Sequence, residues 1–273
     1  MVEQLTLNQR VEGSIPSSST LLEGLVFFAL GLTVGFINNI AGGASVLSLP
    51  IMILLGLPPT VANGTNRFGM FIGVFSSVFS LRRYGYLRMD IAKTLLPPTL
   101  IGALLGTLFV VTIDDSSFQG LLAIVMVGVA IMSSLGTDPF GKPPETPPAK
   151  PGIKAFCGFT AVGFYGSFFQ VGVGFIQIFA LRKYSGLDLK HVNAIKNFIT
   201  IWLLLISSIG LFFAGKIIFS LAFCMALGGL LGGYLGSKFQ HKHDQVWIRR
   251  FIQAASILLA AKLIYDLVIN HSS

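Results

Sequence analysis

The chain has 273 residues, 53% of them hydrophobic and only 11% charged, and its mean hydropathy is +0.78. That is too apolar for a soluble domain of this length and marks an integral membrane protein. The net charge of +8 and pI of about 9.7 do not indicate nucleic acid, because the basic residues lie in loops between apolar runs and form no single patch.

Residues 1–20 are polar and end in Pro16-Ser17-Ser18-Ser19-Thr20. No basic stretch leads into an apolar core there, so the segment reads as a flexible tail and not a signal peptide. Apolar segments follow at roughly 21–37, 43–57, 64–81, 92–112 and 117–135. The stretch DPFGKPPETPPAKPG at 138–152 is a hydrophilic linker whose prolines forbid helix. A second set of segments lies at roughly 153–168, 171–181, 192–214, 217–237 and 247–269. In each set the last three approach the ~20 residues that cross a bilayer, whereas the first two are short and suit a broken or re-entrant hairpin.

The two sets echo each other. Gly42 and Gly172, Gly56 and Gly186, Asn63 and Asn193, Phe68 and Phe198, and Gly85 and Gly215 all differ by 130 in position. An ordered series of this kind indicates internal duplication, with one repeat over 21–137 and the other over 153–273. Loop charge sets the expected topology. Arg82, Arg83, Arg88 and Lys93, the linker lysines, Arg182, Lys183 and Lys190, and Lys238, Lys242, Arg249 and Arg250 are placed in the cytoplasm. Asp114 and Asp115 then fall outside, as do the loops at 57–62 and 215–217. Matching loops of the two halves thereby lie on opposite sides. The expected fold is all-α and polytopic, with two inverted repeats, each a short broken-helix hairpin plus three spanning helices, and both termini external.

Polar residues interrupt the apolar runs in two places. Asn38, Asn39, Gly42, Gly43 and Ser45 break the first hairpin, and Asn63, Thr65, Asn66 and Arg67 open the next helix. Gln170, Gly172, Gly174 and Gln177 occupy the second hairpin, and Asn193, Lys196 and Asn197 follow it. Polar groups in such segments cost several kcal/mol unless satisfied, so their clustering suggests a site. Fixed positive charge among amides, with helix starts nearby, is chemistry for an anion. Two other readings stay open: the cations snorkel to the interface, or Arg67 ties down nearby carbonyls. The hairpin glycines admit close helix packing equally well, and that is the expected role of Gly102, Gly106, Gly228 and Gly232.

None of the eleven acids lies at the centre of an apolar segment, and the four histidines are as peripheral. Asp266 has Lys262 one turn before it as a partner. A protein-borne proton relay is therefore not expected. Coupling would fall to Na⁺ on backbone carbonyls, to a proton carried by the substrate, or to the membrane potential. Cys157 and Cys224 read as small buried hydrophobes. No catalytic motif, cofactor or metal site is visible.

The stretch GFINNIAGGASVLSLPIMILLGLPPTVANGTNRF, with its weaker echo after the linker, resembles the sulfite exporter TauE/SafE family of bacterial permeases. The resemblance runs from about residue 22 to 269. It implies a multi-pass protein of the bacterial inner membrane that moves sulfite or an organosulfonate, usually outward. The expected partners are a small anion and the bilayer. The alternative on the same fold is an anion channel or an importer of a sulfur-containing anion.

Overall fold

Every apolar run among the described residues forms helix, the one element that satisfies its own backbone in lipid. The computed structural model describes residues 20–40, 44–134 and 152–242. The expected tail, Gly42 and Gly43, most of the linker, the last apolar segment and the Lys262–Asp266 pair lie outside the described residues. In chain order the helices are α1 (Thr20–Ile40), α2 (Ser45–Leu54), α3 (Pro59–Arg83), α4 (Met89–Thr112), α5 (Asp115–Ser134), α6 (Ile153–Phe168), α7 (Val173–Ser185), α8 (Leu189–Phe213) and α9 (Phe219–Lys242). Residues 21–40, α4, α8 and α9 are long and apolar enough to cross a membrane.

Two boundaries differ from expectation. α1 does not stop at 37 but continues for 21 residues, through Asn38 and Asn39. The Asn39 amide donates to Gly35 O one turn back, so these side chains need not end the helix. α3 starts at Pro59, five residues earlier than expected, with proline in the first turn where its missing N–H costs nothing. Arg67 therefore sits more than two turns inside a helix, and snorkelling is excluded by its complete burial.

Glycines set the packing. A Cβ on Gly228 or Gly232 would lie 1.9 or 2.0 Å from the carbonyls of Phe28 and Leu32, so α9 rests backbone to backbone on α1. Gly69 and Gly73 let α3 approach the Met225 side chain and the Gly229 backbone of α9, to 2.8 and 2.7 Å from a Cβ placed there. Residue numbers rise together in these contacts, so α1, α3 and α9 run parallel. On the other side, Gly102 meets Thr160 O, Gly106 meets Phe164 O, and Gly210 meets Thr107. α4, α6 and α8 thus form a second parallel group. Each group borrows one helix from the other half of the chain, and α3 packing on α8 joins them.

The two groups point in opposite directions. Thr65 Oγ1, near the start of α3, accepts from Ile218 N just past the end of α8. Lys190 Nζ, near the start of α8, donates to His241 O at the end of α9, and Tyr86 just past α3 is hydrogen-bonded to the same His241. α3 and α8 are therefore antiparallel. The turn residues repeat as well: φ is 94° at Gly56 and 65° at Gly186, and 76° at Gly85 and 71° at Gly215. Only glycine adopts such angles without strain.

One end of the molecule gathers residues 58–60, 113–117 and 214–218. There Asp115 Oδ1 accepts from Thr60 N at 2.7 Å and Lys216 Nζ donates to Ile113 O. Burial pushes the Lys216 ammonium below its usual pKa, against the opposing charges of Asp115 and Asp114. The other end gathers the loops with Arg82, Arg83, Arg88, Lys183 and Lys190. Between the ends, Leu104, Leu108, Phe109, Ile124, Phe213 and Phe223 stand exposed on the outer surface, as lipid contact requires. Cys157 is exposed too, contrary to its expected burial, and both cysteines are free.

Candidate functional site

The hairpins α1–α2 and α6–α7 meet at the middle, where Ser45 Oγ donates to Gln170 O at 2.9 Å. Gln170 has a φ of 63°, rare for a residue with a side chain, and Gly172 at 71° caps the start of α7. That strained turn ends α6 and reverses the chain at the centre. Its first helical amides are partly spent within the turn, Val173 N on Gln170 O and Phe175 N on Gly172 O. Gly174 lies buried in the first turn of α7.

Arg67 and Lys196 are the charged residues that are buried among those described, at 0% and 1% exposure, and no carboxylate shares their burial. Arg67 Nε donates to Asn63 Oδ1 at 3.1 Å, Nη1 to Gly166 O at 3.2 Å and Nη2 to Phe168 O at 3.0 Å. Both carbonyls belong to the last turn of α6, which has no intrahelical donors to offer them. The tie to nearby carbonyls is thus real. Lys196 Nζ donates to Asn38 O, in the last turn of α1, at 2.8 Å. The cations remain short of acceptors. A guanidinium has five N–H groups and an ammonium three, so each keeps two beyond these bonds.

The amides divide into two sets. Asn39 is fully engaged: Nδ2 donates to Ser77 Oγ and Gly233 O, and Oδ1 accepts from Asn197 Nδ2 at 2.8 Å. Thr65 also is spent, on Ile218 N, and stands with the α8–α9 connection instead of the centre. In contrast, Asn66 and Asn193 have no partner for either amide atom although both are fully buried. Asn197 Oδ1, Gln170 Oε1 and Gln177 Nε2 are likewise unpartnered, while Gln177 Oε1 accepts from Thr200. Buried polar atoms without partners are expensive, and a cluster of them is a place where a ligand or water belongs.

Ser77, Thr200 and Ser167 were not legible as site residues. Ser77 and Thr200 look in sequence like ordinary helix-interior hydroxyls. Ser167 Oγ, buried and unpartnered, acquires meaning only from its position between the Gly166 and Phe168 carbonyls. Asn63, Asn66, Arg67, Asn193 and Asn197 are fully buried. A void of about 10 Å³ between α1, α3 and α9 beside Asn38 and Ser77 has room for about one water.

Residues 27–263 match the family described as Sulfite exporter TauE/SafE. A probable membrane transporter protein of Haemophilus influenzae is 28% identical over 246 residues, covering 88% of this chain and 94% of that protein. The probable membrane transporter protein YfcA of Escherichia coli K12 is 29% identical over 264 residues, covering 91% of each chain. The probable membrane transporter protein ORF9 of a Sinorhizobium species is 26% identical, covering 88% and 91%. No solved structure matches the chain. A family match over nearly all of the chain agrees with the helical bundle and its polar centre, and the chain belongs to the sulfite exporter TauE/SafE family of multi-pass membrane transporters.

Proposed function

We propose that this protein is a permease that moves a small anion, sulfite or an organosulfonate, outward across the bacterial inner membrane. The observation that carries the reading is the pair of buried cations, Arg67 and Lys196, with no buried acid among the described residues to balance them. An unbalanced buried charge costs several kcal/mol, and a bound oxyanion both neutralises it and satisfies the idle donors. Asn63 bonds Arg67 directly, Asn66, Asn193, Asn197, Gln170 and Gln177 are the other buried amides that can offer hydrogen bonds, and Asn38, Asn39, Ser45, Gly172 and Gly174 belong to the hairpins that carry them.

The opposed directions of α3 and α8 support an inverted repeat, in which a central site is exposed to one side at a time. Complete burial of the cations favours such a carrier over an open channel on the same fold. With the basic loops in the cytoplasm, the starts of α1 and α3 face outward. Export fits the membrane potential, which drives an anion out with about 2.3 kcal/mol per charge per 100 mV. The test is flux in proteoliposomes with sulfite, sulfoacetate, taurine and sulfate. Saturable flux of sulfite or sulfoacetate, lost in Arg67→Ala, is expected. Flux that never saturates points to a channel, and absence of flux for every anion refutes the reading.

A further inference from the structure

The last carbonyls of a helix have no partner within it and carry the negative end of its dipole. In ion-coupled transporters such ends, exposed where a helix breaks at mid-membrane, hold the coupling Na⁺. Here α1 is described to Ile40 and α6 to Phe168, and a cation already sits on the last turn of each. Lys196 Nζ lies 2.8 Å from Asn38 O, and Arg67 lies 3.0 Å from Phe168 O and 3.2 Å from Gly166 O. Asn38 and Phe168 occupy corresponding places in the two repeats, 130 positions apart. The cations do not correspond: Arg67 aligns with Asn197, and Lys196 with Asn66. Two side chains from different register positions thus reach the same carbonyl of the repeat. Each crosses from one parallel helix group to the broken helix of the other.

From this we propose that Lys196 and Arg67 are tethered substitutes for coupling cations, so that anion transport by this protein proceeds without Na⁺. Each charge fills the cation position at a helix end and stays on the protein when the anion leaves. It neutralises the helix end and still presents two N–H groups to the anion, but carries no ion gradient. The inference rests on the anion reading above and adds its energetics: the substrate gradient, with any proton the substrate itself carries, and the membrane potential are the driving forces. Lys196 is the simpler of the two to replace. Without it, Asn38 O and the unpartnered Asn197 Oδ1, whose amide is held next door by Asn39, would leave neutral oxygens beside a helix C-terminus, of the kind a small monovalent cation accepts.

The test uses the full chain in proteoliposomes with a sulfite gradient, in Na⁺ or in N-methyl-D-glucamine, and ²²Na⁺ binding to the purified protein in parallel. Wild type should transport equally in both media and bind no ²²Na⁺. Lys196→Ala should lose about tenfold or more of its flux without Na⁺. Na⁺ should restore much of that flux, and the variant should bind ²²Na⁺. Lys196→Arg should remain indifferent to Na⁺. Wild-type flux that requires Na⁺, or ²²Na⁺ binding by wild type, overturns the proposal. So does a Lys196→Ala protein that still unfolds in one cooperative transition, at whatever temperature, yet binds no ²²Na⁺. Should wild type move no anion in either medium, the permease reading fails, while the ²²Na⁺ measurements still decide this one.

Discussion

Removing Arg67 tests whether its guanidinium holds the broken end of α6. In Arg67→Ala, the Gly166 carbonyl loses its donor and the Phe168 carbonyl keeps only a long contact from Asn63 Nδ2 at 3.5 Å, all in a buried site. Each orphaned carbonyl costs about 1–3 kcal/mol, so the two together cost about 2–6 kcal/mol. The opposing term is relief from burying an unbalanced charge, itself worth several kcal/mol in principle. Water entering the vacated volume can pair with the carbonyls but not restore the link between α3 and α6. The carbonyl term is therefore expected to win by about 2–4 kcal/mol. At roughly 2–4 °C per kcal/mol for a chain of this size, the melting temperature should fall by about 4–16 °C. Arg67→Lys keeps the charge but reaches one carbonyl instead of two, so about half that loss is expected. Lys196→Ala, which frees a single carbonyl, should also lose about half. The assay is thermal unfolding of purified protein in detergent, with and without sulfite, alongside sulfite affinity on the same samples. Affinity for sulfite should fall about tenfold or more in Arg67→Ala. A melting temperature within about 2 °C of wild type would show that the carbonyl ties contribute little. Unchanged affinity in the folded variant would remove Arg67 from the anion site.

Three further outcomes follow from the geometry. Gly228→Ala forces a Cβ to within 1.9 Å of Phe28 O and should destabilise by about 1–3 kcal/mol or more, whereas Gly120→Ala, with open space around it, should be neutral or stabilising by thermal shift. Asp188 caps α8 by accepting from Lys190 N and His191 N; its partial burial would raise its pKa, but these bonds and the His191 charge outweigh that and hold it low. A carboxyl with a depressed folded pKa adds stability above its unfolded value, near ~3.9, which is lost as pH falls below it. Melting curves from pH 7 to pH 3 should therefore show a smaller acid-side drop in Asp188→Asn, which keeps the cap, while Asp188→Ala should lose about 1 kcal/mol at pH 7. In a Cys157→Ser, Cys224→Ser background, cysteines at the exposed positions Ser116 and Arg83 should react with a membrane-impermeant maleimide from opposite faces of the membrane, Ser116 from outside. Reaction of both from one face would sink the proposed topology.

Much of this protein was determined by composition and local order alone. Apolar runs in lipid can only become helices, so the run lengths and the proline-rich interruption told where helices lie. The spacing of 130 between Gly56 and Gly186, and between Gly85 and Gly215, reported a duplicated turn, and both pairs carry positive φ. Arg67 and Lys196 stood out because a cation inside an apolar run demands a reason. Tertiary structure decided what those residues touch. Helix ends leave carbonyls unpaired, but which side chain from which helix arrives there depends on how the two parallel groups cross, and no local pattern encodes that. The exchange of α9 and α4 between halves rests on glycine contacts far apart in the chain, such as Gly228 on Phe28 and Gly102 on Thr160. The division of the amides is of the same kind. Asn39 and Asn66 look alike in the chain, yet one is saturated by Ser77, Gly233 and Asn197 and the other is left idle, because only packing determines which donors and acceptors come within reach of each.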